Sequence, residues 1–107
     1  MYFEKGAELG NAESICMIGY IYEKGLGVKK DLKKAIEQYS KAGKMGYMKA
    51  YGNLGTLYAH NKNMDKAEFY WELAAKAGDK TAIKNLIQFY KNRNNSEKVD
   101  VWTSKLK

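Results

Sequence analysis

Two residues invite a chemical reading first: the single histidine, His60, and the single cysteine, Cys16. A catalytic thiol needs a base within hydrogen-bond reach, and a metal site needs several ligands at close spacing. His60 has no cysteine or carboxylate cluster around it, and Cys16 sits in the apolar run Ile15-Cys16-Met17-Ile18. His60 is therefore read as a loop or groove contact and Cys16 as a packing residue. A lone cysteine also allows no internal disulfide and no CxxC pair. Gly25-Leu26-Gly27 lacks the lysine-bearing frame of a phosphate loop, so its glycines are read as a turn between helices. Tyr20, Tyr47, Tyr51 and Tyr70 stand at helical spacing and read mostly as core or inter-repeat packing rather than as a recognition surface. No catalytic residue, metal ligand or cofactor is assigned, and the expectation is a protein that is not an enzyme.

The remaining chemistry is charge. Lysine and arginine number 19 against 12 acidic residues, a net charge of +7. Arg93 is the only arginine. Lysine is a hydrated point charge and lacks the bidentate fork with which arginine reads phosphate. The lysines are spread through the whole chain, including Lys29-Lys30, Lys33-Lys34 and Lys105-Lys107, mixed with Asp and Glu. This reads as a solvated basic surface attractive to an acidic partner. Binding of nucleic acid or an anionic surface through these lysines is the alternative reading, disfavoured because no contiguous lysine face interleaves with exposed aromatics.

With 107 residues and a 45% hydrophobic fraction, the chain is long enough for one domain with a modest core. No apolar run approaches the ~20 residues that span a bilayer. The opening Met1-Tyr2-Phe3-Glu4-Lys5-Gly6 has neither a basic start nor an apolar stretch of signal-peptide type. A cytoplasmic location is expected if Met1 is the native start.

The elements that position these residues emerge from internal repetition. Ala12 to Tyr22, Met48 to Tyr58 and Lys80 to Tyr90 align, matching Ile18 with Leu54 and Leu86, and Tyr22 with Tyr58 and Tyr90. Gly19 matches Gly55, while the third copy has Ile87 there. The following halves align as well. Lys34-Ala35 through Tyr39 to Ala42 and Gly46 matches Lys66-Ala67 through Trp71 to Ala74 and Gly78, fading to Lys98-Val99 through Thr103. Apolar residues at three- and four-residue spacing make each half an amphipathic helix. Asn11, Asp31, Asp79 and Ser96 stand where N-caps belong, and Gly10, Gly46 and Gly78 where helices end. Proline is absent and no β-alternation competes, so the fold class is all-α. The domain divides into residues 1–10 (a half-repeat or cap helix, because Phe3 to Gly10 overlays Tyr39 to Gly46), 11–46, 47–78 and a degenerate terminal copy, 79–107.

The first full copy carries Ile18-Gly19-Tyr20-Ile21-Tyr22, then Gly25-Leu26-Gly27-Val28-Lys29-Lys30-Asp31, then Lys34-Ala35. It resembles the Sel-one-like repeat of the tetratricopeptide-like superfamily, whose pattern runs LGxxYxxGxGVxxDxxKA. The second copy departs from it: the glycine-rich loop is replaced by Ala59-His60-Asn61-Lys62-Asn63-Met64. The resemblance implies a right-handed α-α superhelix (an α-solenoid) of about three helix-turn-helix repeats. It also implies a protein-binding groove lined by the first helix of each hairpin.

On that groove the positions counted from the Leu-Gly and Tyr landmarks are Glu13, Cys16, Tyr20 and Lys24, then Lys49, Asn53, Thr56 and His60, then Lys84, Gln88, Lys91 and Asn92. Lysine becomes commoner toward the C-terminal end, and an acidic peptide or protein is the matching partner. The carboxylate clamp of some tetratricopeptide domains is not expected: Asn53 holds one clamp position, but Cys16, Tyr20, Thr81 and Asn85 hold the others.

Overall fold

The computed structural model describes residues 2–106, with side chains from Asn11 to Leu106. Among these residues six α-helices and no strand are found. They are α1 (Tyr2–Lys24), α2 (Leu32–Lys44), α3 (Met48–His60), α4 (Met64–Lys76), α5 (Lys80–Asn92) and α6 (Ser96–Lys105). Each odd-numbered helix pairs with the next as a hairpin, and α2 packs on α3 and α4 on α5. The stack measures about 40 × 37 × 17 Å, a thin slab of helical hairpins, as the all-α solenoid reading expects.

Four of the five connections share one device. Gly46 N–H donates to Gly43 C=O and Tyr47 N–H to Ala42 C=O, the paired bonds of a Schellman motif. The same pair recurs at Lys62 and Asn63, at Gly78 and Asp79, and at Asn94 and Asn95. The first residue of each pair has positive φ: Gly46 103°, Lys62 64°, Gly78 97° and Asn94 57°. The second is the N-cap of the next helix, so one helix ends and another begins on consecutive residues. Asn63, Asp79 and Asn95 each accept a backbone N–H from the new first turn, and Asp31 does so for α2. The expected cap at Ser96 therefore moves back to Asn95, because the left-handed turn falls on Asn94.

The break expected at Gly10-Asn11 is absent. The backbone passes through both residues within α1, which satisfies in line the N–H and C=O groups that two helix ends would leave open. The side chains of the opening half-repeat lie outside the described residues.

Packing follows the repeat. A methyl placed on Gly19 would lie 2.9 Å from the Tyr39 ring, and one on Gly55 2.6 Å from the Trp71 ring. In the first two hairpins the first helix thus gives up a side chain so that an aromatic of the second can fit. In the third hairpin the corresponding positions are Ile87 and Thr103, larger on α5 and smaller on α6. Lys34 lies over Tyr22, Lys66 over Tyr58 and Lys98 over Tyr90, at 5.2 to 5.9 Å from the ring centroids, the same cation–π contact repeated in each hairpin. Two core clusters form. One is built on Tyr39, Leu54 and Leu57, the other on Trp71, Leu86 and Trp102, and Tyr51 and Tyr58 touch both. Leu54 and Leu86 are fully buried, whereas their counterpart Ile18 is 42% exposed. Ile18 differs because, among the described helices, α1 packs only on α2 and α3.

Candidate groove between the first helices

Where α1 runs beside α3, the surface sinks into a hollow of about 420 Å³. Five of the expected groove residues meet there: Glu13, Cys16 and Tyr20 from α1, Lys49 and Asn53 from α3. Cys16 forms its floor and is buried, with its Sγ accepting from Asn53 Nδ2 at 3.5 Å. Burial raises the pKa of this thiol above the ordinary range. The Asn53 hydrogen bond and nearby Lys49 pull it partway down, and Glu13 pushes it up. The thiol consequently stays protonated at neutral pH, as suits a packing residue rather than a nucleophile.

Four further walls were not assigned to the groove from the residue pattern: Met17, Ile21, Leu26 and Tyr47, the last read as packing. Met17 and Ile21 look like core because α1 is apolar around most of its circumference here. Leu26 is read as turn filler, yet the turn made by Gly25 and Gly27, both at positive φ, carries it to the rim.

The other expected residues are placed differently. Lys24 and His60 border a smaller hollow of about 180 Å³ near the hairpin loops, together with Glu23, Lys30 and Asn61. Lys24 Nζ lies 3.7 Å from Glu23 Oε2, the only ion pair among the described residues. Thr56 is tied to the fold: its Oγ1 donates to Gly52 C=O and accepts from Trp71 Nε1, both at 3.2 Å. Lys84, Gln88 and Asn92 are exposed on α5, with Gln88 Nε2 donating to Asn92 Oδ1 at 3.0 Å. Lys91 is exposed as well and borders a hollow of about 290 Å³ with Asn94, Asn95, Ser96 and Val99 at the start of α6. Among the described residues no group of three or more His, Cys, Asp or Glu is placed to hold a metal ion. No described helix is long and apolar enough to cross a membrane.

Comparison with known proteins agrees with this architecture. The Sel1 repeat model matches residues 1–11, 12–47 and 43–79. A Sel1 repeat protein from Oxalobacter formigenes superposes with a TM-score of 0.79 at 30% identity, covering 89% of this chain and 42% of that one. The protective antigen c5321 of uropathogenic Escherichia coli, described as displaying an SLR fold, superposes with a TM-score of 0.80 at 32% identity, over 92% of this chain and 23% of that one. Among curated proteins, chitin synthase regulatory factor 4 of Schizosaccharomyces pombe is 31% identical over 74 residues, which is 68% of this chain and 12% of that protein. DAP3-binding cell death enhancer 1 of Rattus norvegicus is 40% identical over 57 residues, 53% of this chain and 11% of that protein. The chain thus spans about a tenth of the curated relatives it matches. With the family model spanning well over half of its residues, the chain belongs to the Sel1 repeat family of helical-hairpin, protein-binding modules.

Proposed function

We propose that this chain is a protein-interaction module that holds an acidic segment of another protein along α1, α3 and α5. It would serve as an adaptor, an assembly factor, or an immunity protein that masks a toxin or effector. The observation that carries this reading is the hollow between α1 and α3, which leaves apolar wall exposed beside the charge of Lys49. Lys49 borders this hollow beside Glu13, and Lys84 is exposed on α5, which supports an acidic segment as the matching partner. The repeat supplies a rigid frame for such binding, since each hairpin is held by its neighbours. One relative's name, DAP3-binding cell death enhancer, records a protein partner, which agrees with a binding role for repeats of this kind.

Site-specific photo-crosslinking tests the reading. A benzophenone amino acid is placed at Met17 or Lys84 on the groove side, and at Glu37 or Lys76 on α2 or α4, and the protein is irradiated in lysate of its own organism. A protein adduct is expected from the groove positions and not from the outer ones. Adducts confined to the outer positions would contradict the groove. Retention of nucleic acid alone, released by moderate salt, would favour the lysine surface instead.

A further inference from the structure

We infer that the hollow between α1 and α3 is an anchor pocket, which takes one aliphatic or methionine side chain from a partner segment carrying a carboxylate within two residues of it. This rests on the groove reading above and specifies what the groove recognises. Apolar surface is the first argument. Met17 is 61% exposed, Leu26 54% and Tyr20 47%, and all three border this hollow. They are three of the seven large hydrophobic side chains left exposed among the described residues. Exposed apolar surface gathered at one concavity marks a contact site, whereas the same residues scattered singly would not.

The floor supplies the second argument. The Cys16 thiol and the Asn53 amide are already engaged with each other, so the bottom of the hollow asks little of a polar group and suits a hydrocarbon or thioether. Room for about 420 Å³ accommodates a branched or flexible side chain entering from the open side.

Charge orients the segment. Lys49 makes no ion pair among the described residues, in contrast with Lys24, which lies 3.7 Å from Glu23. Glu13 stands on the same hollow as Lys49. A carboxylate on the partner is drawn to Lys49 and repelled by Glu13, which fixes the direction in which the segment runs. Adjacent residues of an extended chain advance by ~3.3 Å, so a carboxylate one or two positions from the anchor lies within reach of a flexible lysine.

A random twelve-residue peptide library displayed on phage is panned against the full chain, and a synthetic peptide of the enriched consensus is measured by fluorescence polarisation. The consensus is expected to contain Leu, Ile or Met with Asp or Glu within two residues. Its affinity should fall at least tenfold with Met17→Glu or with Lys49→Glu, both at exposed positions, with helicity by circular dichroism unchanged. Replacing the anchor of the peptide by Ala should weaken binding to the wild type at least tenfold yet leave binding to Met17→Glu nearly unaltered. Exchanging the peptide carboxylate for Lys should restore binding to Lys49→Glu. A purely acidic consensus, sensitive to Lys84→Glu but indifferent to Met17→Glu, would overturn the anchor pocket and leave the groove reading standing. Failure to enrich any peptide, or a peptide indifferent to every groove substitution, would overturn both.

Discussion

Gly55 marks the tightest helix crossing in the second hairpin, and its substitution gives the sharpest test at the scale of a residue. Alanine in place of a mid-helix glycine ordinarily stabilises by up to ~1 kcal/mol. Here the added methyl would lie 2.6 Å from the Trp71 ring, which is itself buried. Overpacking a core costs about 1–3 kcal/mol, so Gly55→Ala should destabilise, seen as a lower urea midpoint at unchanged slope. Thr56→Val tests the neighbouring bond. It strands the Trp71 Nε1–H that now donates to Thr56 Oγ1, at a cost of ~1–3 kcal/mol. Ionisation adds a pH dependence. Burial, reinforced by a bond to Glu23, holds the Tyr39 phenol far above its ordinary range, and burial with bonds to Glu68 and Glu72 does the same for Tyr90. Burial raises Cys16 as well. In the unfolded chain these groups ionise near ~8.5 for Cys and ~10 for Tyr. Their stabilisation is thus complete below about pH 8 and is lost as pH climbs through the alkaline range. Thermal melts should fall steadily from pH 8 to 11, and Tyr39→Phe should flatten the upper part of that decline.

Helix ends are legible in the amino acids wherever glycine takes the left-handed position, as at Gly46 and Gly78, because few other residues adopt positive φ without strain. They are not legible at Lys62 and Asn94, whose conformations are imposed by the Schellman bonds around them. Lysine in this region carries a penalty of ~1–2 kcal/mol that glycine avoids. Lys62→Gly should therefore raise stability by up to about 1 kcal/mol, measured by the same urea titration. The same local limit explains the cap at Asn95: Ser96 has equal chemistry for the role, and only the turn at Asn94 decides between them. Groove positions divide in a similar way. Glu13, Tyr20, Lys49 and Asn53 follow from counting along helices, since repeat spacing fixes their direction. Lys91, in the last turn of α5, borders the start of α6 because the chain turns back beside it at Asn94 and Asn95. Met17, Ile21 and Tyr47 are not assigned to the groove because apolar residues at helical spacing look the same whether they fill a core or line an empty hollow.

Across the whole molecule, two apolar clusters are joined by the Tyr51 and Tyr58 side chains, each 5.7 Å from the Tyr70 ring and stacked on it. Repeat stacks unfold cooperatively only while such interfaces outweigh the weakness of single hairpins. Tyr51→Ala with Tyr58→Ala should therefore split the single urea transition into two, which tryptophan fluorescence would follow from Trp71 in the C-terminal cluster. A frame held this way can present α1 and α3 at fixed spacing, and the groove account depends on that. It is tested most directly by titrating the 15N-labelled chain with its crosslinked partner segment and following the backbone amides by NMR. The shifts expected are those of Met17, Lys49, Asn53 and their neighbours on α1 and α3, with α2, α4 and α6 largely unmoved. Shifts confined to the even-numbered helices, or spread evenly over the lysines and removed by salt, would contradict it.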